Sequence, residues 1–241
     1  MPTVDSRAEP LLSVRGLNAW YGEVHALHGV SFDVNVGEVV TLVGRNGAGK
    51  TTTLRSIMGM LPRRRGAITF NGRETIGMPA RHIARLGIGY VPEERGIFAT
   101  LTVEENLLLP PQIQAGGWNL ARIFTLFPNV KERLGSAGTK LSGGEQQMLA
   151  IARILRTGSR FLLLDEPTEG LAPVIIEQIG RNIRSLKEEN FTIVLVEQNI
   201  RFAAQLTDRF YVIEQGKVVD TVGGKADRRG NVARLQAYLG V

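Results

Sequence analysis

The chain has 241 residues, of which 43% are hydrophobic and 22% charged, the composition of a folded domain, which argues against a disordered chain or a membrane-embedded body. The absence of cysteine excludes disulfides and thiolate metal sites. A net charge of +6 would suit a position near nucleic acid or an anionic membrane face, yet the basic residues are scattered.

Met1 to Pro10 carries Asp5 and Glu9 and no apolar core, so it does not read as a secretory signal. No apolar run reaches the roughly 18 residues that a spanning helix requires, and a cytoplasmic location is the expectation. From Leu11 to Val43, short alternating apolar groups broken by glycines predict antiparallel strands with turns. Within them Trp20-Tyr21-Gly22 sets two aromatics at a turn, where a ring could stack on a base or simply join the core.

The apolar run Val39–Val43 leads into Gly44, Arg45, Asn46, Gly47, Ala48, Gly49, Lys50 and Thr51, followed by a helix expected over Thr52–Met60. This order of strand, glycine-rich loop, Lys-Thr and helix fits a P-loop. Its backbone N–H groups cradle phosphate, Lys50 adds a mobile cation and Thr51 offers a hydroxyl to Mg²⁺. The dipole of the following helix favours the same anion.

Arg63–Arg65, flanked by Pro62 and Gly66, is the one basic run and reads as a solvated loop. With no aromatic residues interleaved in the sequence, no nucleic-acid partner is expected. Ala67–Phe70 before Asn71-Gly72 predicts a strand entering a hairpin turn, and Gly87–Val91 a short buried strand closed by Pro92. From Glu93 to about Leu155 the pattern becomes helical and Pro/Gly-interrupted, predicting a helical lobe inserted into the nucleotide-binding core. Thr102 and Glu105 form a capping box there, as do Ser142 and Glu145 ahead of Met148, Ile151, Ala152 and Leu155. The second start, with Gly143 and Gly144, also has the geometry of a second phosphate site.

Phe161–Leu164 ends in Asp165-Glu166-Pro167, a buried strand delivering two carboxylates where α/β sheets bind ligands. Asp165 is placed to hold Mg²⁺ and Glu166 to polarise an attacking water. Pro173 opens an amphipathic helix to about Glu189. Phe191–Val196 is a buried strand ending in Glu197-Gln198-Asn199, Arg209–Glu214 and Lys217–Val222 form a hairpin, and Asn231–Leu239 a short terminal helix.

With the P-loop, Leu141-Ser142-Gly143-Gly144-Glu145-Gln146-Gln147 and Asp165-Glu166 together, the chain resembles the ATP-binding subunits of ABC transporters over nearly its whole length. The resemblance implies an α/β fold: a P-loop NTPase core with a mixed sheet, an N-terminal antiparallel β subdomain and an inserted α-helical subdomain. Residues 11–92 and 157–241 would form the β subdomain and core of a single nucleotide-binding domain, and 93–156 the helical subdomain.

The resemblance further implies that Tyr21 stacks on the base and that Gly44–Thr51 with Thr52 binds the phosphates. Thr51, Glu93 and Asp165 would serve Mg²⁺, and Glu166 would be the general base, with Lys50 and Gln198 assisting. Ser142, Gly143, Gly144 and Glu145 would meet ATP held by a second subunit, head to tail. Three residues depart from the usual family pattern: Glu93 replaces glutamine, Gln198 histidine and Ala172 aspartate. Gln198 can still donate a hydrogen bond but cannot titrate. These departures, with Thr102–Leu107 and Gly170–Pro173, resemble the uptake branch for branched-chain amino acids, with urea and short-amide importers as near alternatives. The partners implied are separate membrane permease subunits, a second ATPase subunit and, indirectly, a solute-binding protein, with the chain peripheral on the inner membrane face. A soluble cassette acting on nucleic acid or ribosomes, a non-hydrolysing module and an exporter half fit less well, because there is one P-loop, an intact acid pair and no fused span.

Overall fold

A computed structural model describes residues 9–223 and 228–239. Most of the N-terminal stretch considered as a signal therefore lies outside the described residues. Two sheets organise the chain. Strands β1 (Leu12–Tyr21), β2 (Val24–Val34), β4 (Arg63–Phe70) and β5 (Arg73–Glu74) form an antiparallel sheet in the order β2-β1-β4-β5. The second sheet runs β10 (Lys217–Gly223), β9 (Arg209–Glu214), β3 (Val39–Val43), β8 (Thr192–Val196), β7 (Phe161–Asp165), β6 (Ile88–Val91). It is parallel except at β10, which pairs antiparallel with β9.

Every residue of β3, β7 and β8 is buried, because the parallel sheet is covered on both faces, and its strands accordingly read as near-continuous apolar runs. Alternation then divides them between two cores. Phe161 and Leu163 join the core beneath the antiparallel sheet and helix α1 (Lys50–Ile57). Leu162 and Leu164 face the core formed with α6 (Gly143–Arg156) and α7 (Pro173–Glu188).

The remaining α-helices among the described residues are α2 (Ala80–Ala84), α3 (Val103–Leu108), α4 (Leu120–Leu126), α5 (Pro128–Glu132), α8 (Ile200–Ala203) and α9 (Arg228–Leu239). Both expected capping boxes form, at Thr102/Glu105 and Ser142/Glu145. Ala172 occupies the N-cap of α7 and makes no capping hydrogen bond, but Pro173 in the first turn presets the helical φ. Two hydrogen bonds tie α6 to the loop that leaves β6: Arg153 donates to the Gly96 carbonyl at 2.6 Å, and Arg95 to Gln146 Oε1 at 3.2 Å.

The structure corrects the reading of Arg63–Arg65. These residues are not a loop but the start of β4, paired with Trp20, Ala19 and Asn18 of β1. Alternation sends Arg63 and Arg65 over the Trp20 ring at 5.0 and 5.9 Å, while Arg64 points inward to the carbonyls of Leu61 and Met78 at 2.6 and 2.7 Å. Burial lowers the Arg64 pKa. The phosphate-loop helix also begins earlier than expected, at Lys50, and ends at Ile57. The Asn71-Gly72 hairpin forms as expected, both residues at positive φ (48° and 73°).

Candidate functional site

The loop between β3 and α1 is built by close backbone approach. A Cβ on Gly44 would lie 2.2 Å from the Ile213 carbonyl oxygen, and one on Gly49, which has φ 110°, would lie 2.7 Å from Leu27 Cδ2. Gly49 is the N-cap of α1 and supplies no side-chain cap, so the first-turn N–H groups stay open. Among the described residues the backbone N–H groups of Gly47 and Gly49 donate to no protein group. Gly216, in the β9–β10 turn, donates its N–H to the Ala48 carbonyl at 2.8 Å and braces the loop from behind.

This loop forms one wall of a cavity of about 300 Å³. Asn46, Gly47, Gly49, Lys50, Thr51 and Thr52 line it, and Glu93, Glu166, Glu169 and Gln198 close the opposite side. Lys50 Nζ donates to the carbonyls of Gly44 and Arg45 at 2.9 and 3.2 Å and lies 3.3 Å from Glu166 Oε1. The other Glu166 oxygen accepts from Gln198 Nε2 at 2.5 Å. Glu166 sits at φ 44°, a left-handed conformation that costs a non-glycine residue roughly 1 kcal/mol or more. Its N–H bonds the Val196 carbonyl at 3.0 Å, anchoring the carboxylate at the sheet edge.

Thr51 Oγ1 donates to Asp165 Oδ1 at 2.9 Å, and the Tyr90 hydroxyl donates to the other oxygen at 3.0 Å. Burial pushes Asp165 up to about 6; both hydrogen bonds oppose this, and the charges of Glu166 and Glu93 reinforce it. Glu197, buried behind Gln198, is pushed up to about 7 by burial, against hydrogen bonds from Thr168 and Asn199. Thr51, Asp165 and Glu93 present oxygen donors alone, the chemistry that suits Mg²⁺. Among the described residues no cluster of three or more His, Cys, Asp or Glu could hold a metal by itself. These residues therefore fit an ion completed by phosphate oxygens and water.

The remaining expected residues lie elsewhere. Arg45 and Ala48 line a separate cavity of about 500 Å³ with Tyr238. Tyr21 is 42% exposed at the end of β1 and does not line the phosphate cavity; its hydroxyl lies beside Arg55. Trp20 instead stacks on His25, ring centroids 4.3 Å apart. Ser142, Gly143, Gly144 and Glu145 are also absent from the cavity wall. At α6 the Glu145 carboxylate accepts from Ser142 N at 2.7 Å and from Arg133 Nε at 2.9 Å. Gly144 is bare because a Cβ would lie 2.6 Å from Ile175 Cγ2.

Tyr90, Glu169 and Thr168 escaped the sequence reading, and Glu197 entered it only as part of a polar strand end. Tyr90 reaches Asp165 from the neighbouring strand, and no local pattern marks it.

A glycine-rich loop at the carboxyl edge of a parallel sheet, backed by a buried aspartate and a paired lysine and glutamate, defines a P-loop nucleotide-binding domain. The chain belongs to the ABC transporter family, whose match spans residues 27–169. It is 44% identical to the high-affinity branched-chain amino acid transport ATP-binding protein BraG of Pseudomonas aeruginosa, over 95% of this chain and 100% of that protein. Identity to the probable branched-chain amino acid transport ATP-binding protein LivF of Archaeoglobus fulgidus is 38%, over 84% of this chain and 87% of that one. The dimeric structure of MJ0796, a bacterial ABC transporter cassette, superposes with a TM-score of 0.77 at 26% identity, covering 88% of this chain and 98% of the other. Among the described residues no helix is long and apolar enough to cross a membrane.

Proposed function

We propose that this chain hydrolyses ATP to power uptake of branched-chain or related amino acids through a separate membrane permease, to which it binds on the cytoplasmic face. The observation that carries the chemistry is the placement of Lys50, Glu166 and Gln198 around one phosphate-sized cavity. The cargo class rests on the similarity to BraG and LivF.

In this mechanism the open N–H groups of Gly47, Gly49 and the first turn of α1 bind the phosphates. Lys50 leaves Glu166 and pairs with them. That exchange frees Glu166 to accept a proton from the attacking water, while Gln198, still donating at its other oxygen, fixes the carboxylate's direction. Thr51, Asp165 and Glu93 would hold Mg²⁺, which offsets phosphate charge when bound. Tyr21 would meet the base.

Ser142, Gly143, Gly144 and Glu145 lie outside the cavity wall, so we assign them to ATP bound by a second chain, head to tail, as supported by the similar cassette that is dimeric. We take residues 93–156 as the lobe that meets the permease. Phe98, Leu108 and Leu109 there are 47, 49 and 53% exposed, an apolar edge suited to cytoplasmic helices of a permease. Arg95 then links this edge to α6, and Glu93, two residues earlier, reaches the phosphate cavity.

Replacing Glu166 by Gln is expected to reduce phosphate release on the order of 10²–10⁴-fold while ATP binding persists. Near-normal release by that variant would remove Glu166 from the role. Isolation of the chain from its native membrane should bring down a permease whose solute-binding partner takes a branched-chain amino acid. A permease serving urea or a short amide would redirect the cargo.

A further inference from the structure

Between α7 and α8 lies a groove of about 740 Å³, apart from the phosphate cavity. Its floor is apolar, formed by Ile176, Gly180 and Phe202. Gly180 lets the Phe202 ring pack close against α7, since a Cβ there would lie 3.2 Å from that ring. The groove's rim carries Arg181, Arg184 and Arg201, with Glu177 as its one carboxylate. Arg181 reaches Glu177 only at 4.0 Å, with the two side chains 59 and 75% exposed, so that pair neutralises little. Among the described residues neither Arg184 nor Arg201 has a side-chain hydrogen-bond or ion-pair partner.

The groove's walls are the two helices that follow the reacting residues. The loop starting at Glu166 runs into α7, and α8 begins two residues after Gln198. Glu197 ties the two loops together, accepting from Thr168 Oγ1 at 2.7 Å and from the N–H groups of Gln198 and Asn199, each at 3.2 Å. Anything wedged between α7 and α8 therefore bears on the Glu166–Gln198 contact.

We propose that this groove docks an acidic, amphipathic helical segment of a partner protein, and that seating it changes ATP turnover. The floor accepts one large apolar side chain, and three guanidinium groups around it accept carboxylates at helical spacing. A nucleic acid or lipid surface would call for a longer cationic track and gain nothing from a buried apolar floor. The turnover half rests on the roles assigned to Glu166 and Gln198; the docking half does not.

The test uses the full chain and a fluorescein-labelled helical peptide of about 14 residues, one leucine flanked by glutamates three and four positions away. Fluorescence anisotropy should show saturable binding that weakens at least about tenfold in R184E/R201E and less in R184Q/R201Q. ATP turnover should change at least about twofold along the same saturation curve. Absence of binding, or equal binding by the charge-reversed variant, would overturn the docking site. Tighter binding of single-stranded DNA or phosphatidylglycerol vesicles at the same arginines would reassign it away from protein. Loss of ATP-driven dimerisation in R184E/R201E would assign the groove to the second copy and equally overturn it. Unchanged turnover at saturating peptide overturns the coupling. Failure of the Glu166 role is read separately, from phosphate release by the Glu166→Gln variant, and leaves the binding result standing.

Discussion

The starts of α1 and α6 are both glycine-led helix N-termini, and they differ in what already occupies them. At α1 the cap is Gly49, with no side chain to consume N–H groups; Lys50 and the carboxylates of Glu93, Glu166 and Glu169 line the opening, and Asp165 holds Thr51 beside it. At α6 the cap is Ser142, whose hydroxyl accepts from Glu145 N at 3.3 Å while Glu145 accepts in return, so the helix start is largely satisfied by itself. The first can grip an anion alone. The second can only add a hydroxyl and exposed backbone to an anion positioned by something else, which is why we place it against a neighbouring subunit's nucleotide.

The glycines sharpen this contrast. Gly44→Ala sets its methyl group 2.2 Å from a backbone oxygen of β9, which cannot retreat without moving the strand. We expect a loss of roughly 2–4 kcal/mol and of measurable ATP binding, read by thermal unfolding and nucleotide titration. A variant that melts and binds normally would show that the loop tolerates far more freedom than its packing indicates.

The carboxylates behind α1 give the next effect. Folded Asp165 has a pKa of about 6 against an ordinary 3.8, so between those values the folded chain holds a proton that the unfolded chain has lost. Stability from this group is therefore complete below about pH 4 and is lost as pH rises through about 6. Asp165→Asn should stabilise the nucleotide-free chain at pH 7.5 by at most about 3 kcal/mol and flatten the fall in melting temperature between pH 4 and 7. Glu197, raised to about 7, leaves some slope in the variant. An Asp165→Asn variant that kept the parent's full pH dependence would break the assignment of the effect to Asp165.

The buried strands were legible because parallel strands covered on both faces leave near-continuous apolar runs, as at Val39–Val43 and Phe161–Leu164. The P-loop and both capping boxes were legible because their chemistry is local. Arg63–Arg65 was misread because three cations between proline and glycine look solvated; only pairing with β1 reveals that the middle one is half-buried and the outer two lie over Trp20. Tyr90 on Asp165 and Glu197 on Thr168 join positions whose register no single stretch encodes.

The smallest effects belong to α6, and they separate its structural task from its proposed partner task. Gly144→Ala meets Ile175, a side chain that can turn away, so a cost of about 1 kcal/mol is expected, largely recovered by Ile175→Ala in the same chain. Ser142→Ala removes one cap acceptor and should cost about 1 kcal/mol in thermal unfolding, with monomer ATP affinity unchanged because Ser142 lies outside the phosphate cavity. If the hydroxyl also serves a neighbour's nucleotide, turnover in the dimer should fall by more than the stability loss explains. Adding ATP should then stabilise the variant dimer less than the parent dimer in sedimentation. Equal ATP-driven dimerisation and equal turnover would leave Ser142 as a helix cap alone, and the two helix starts would no longer be halves of one site.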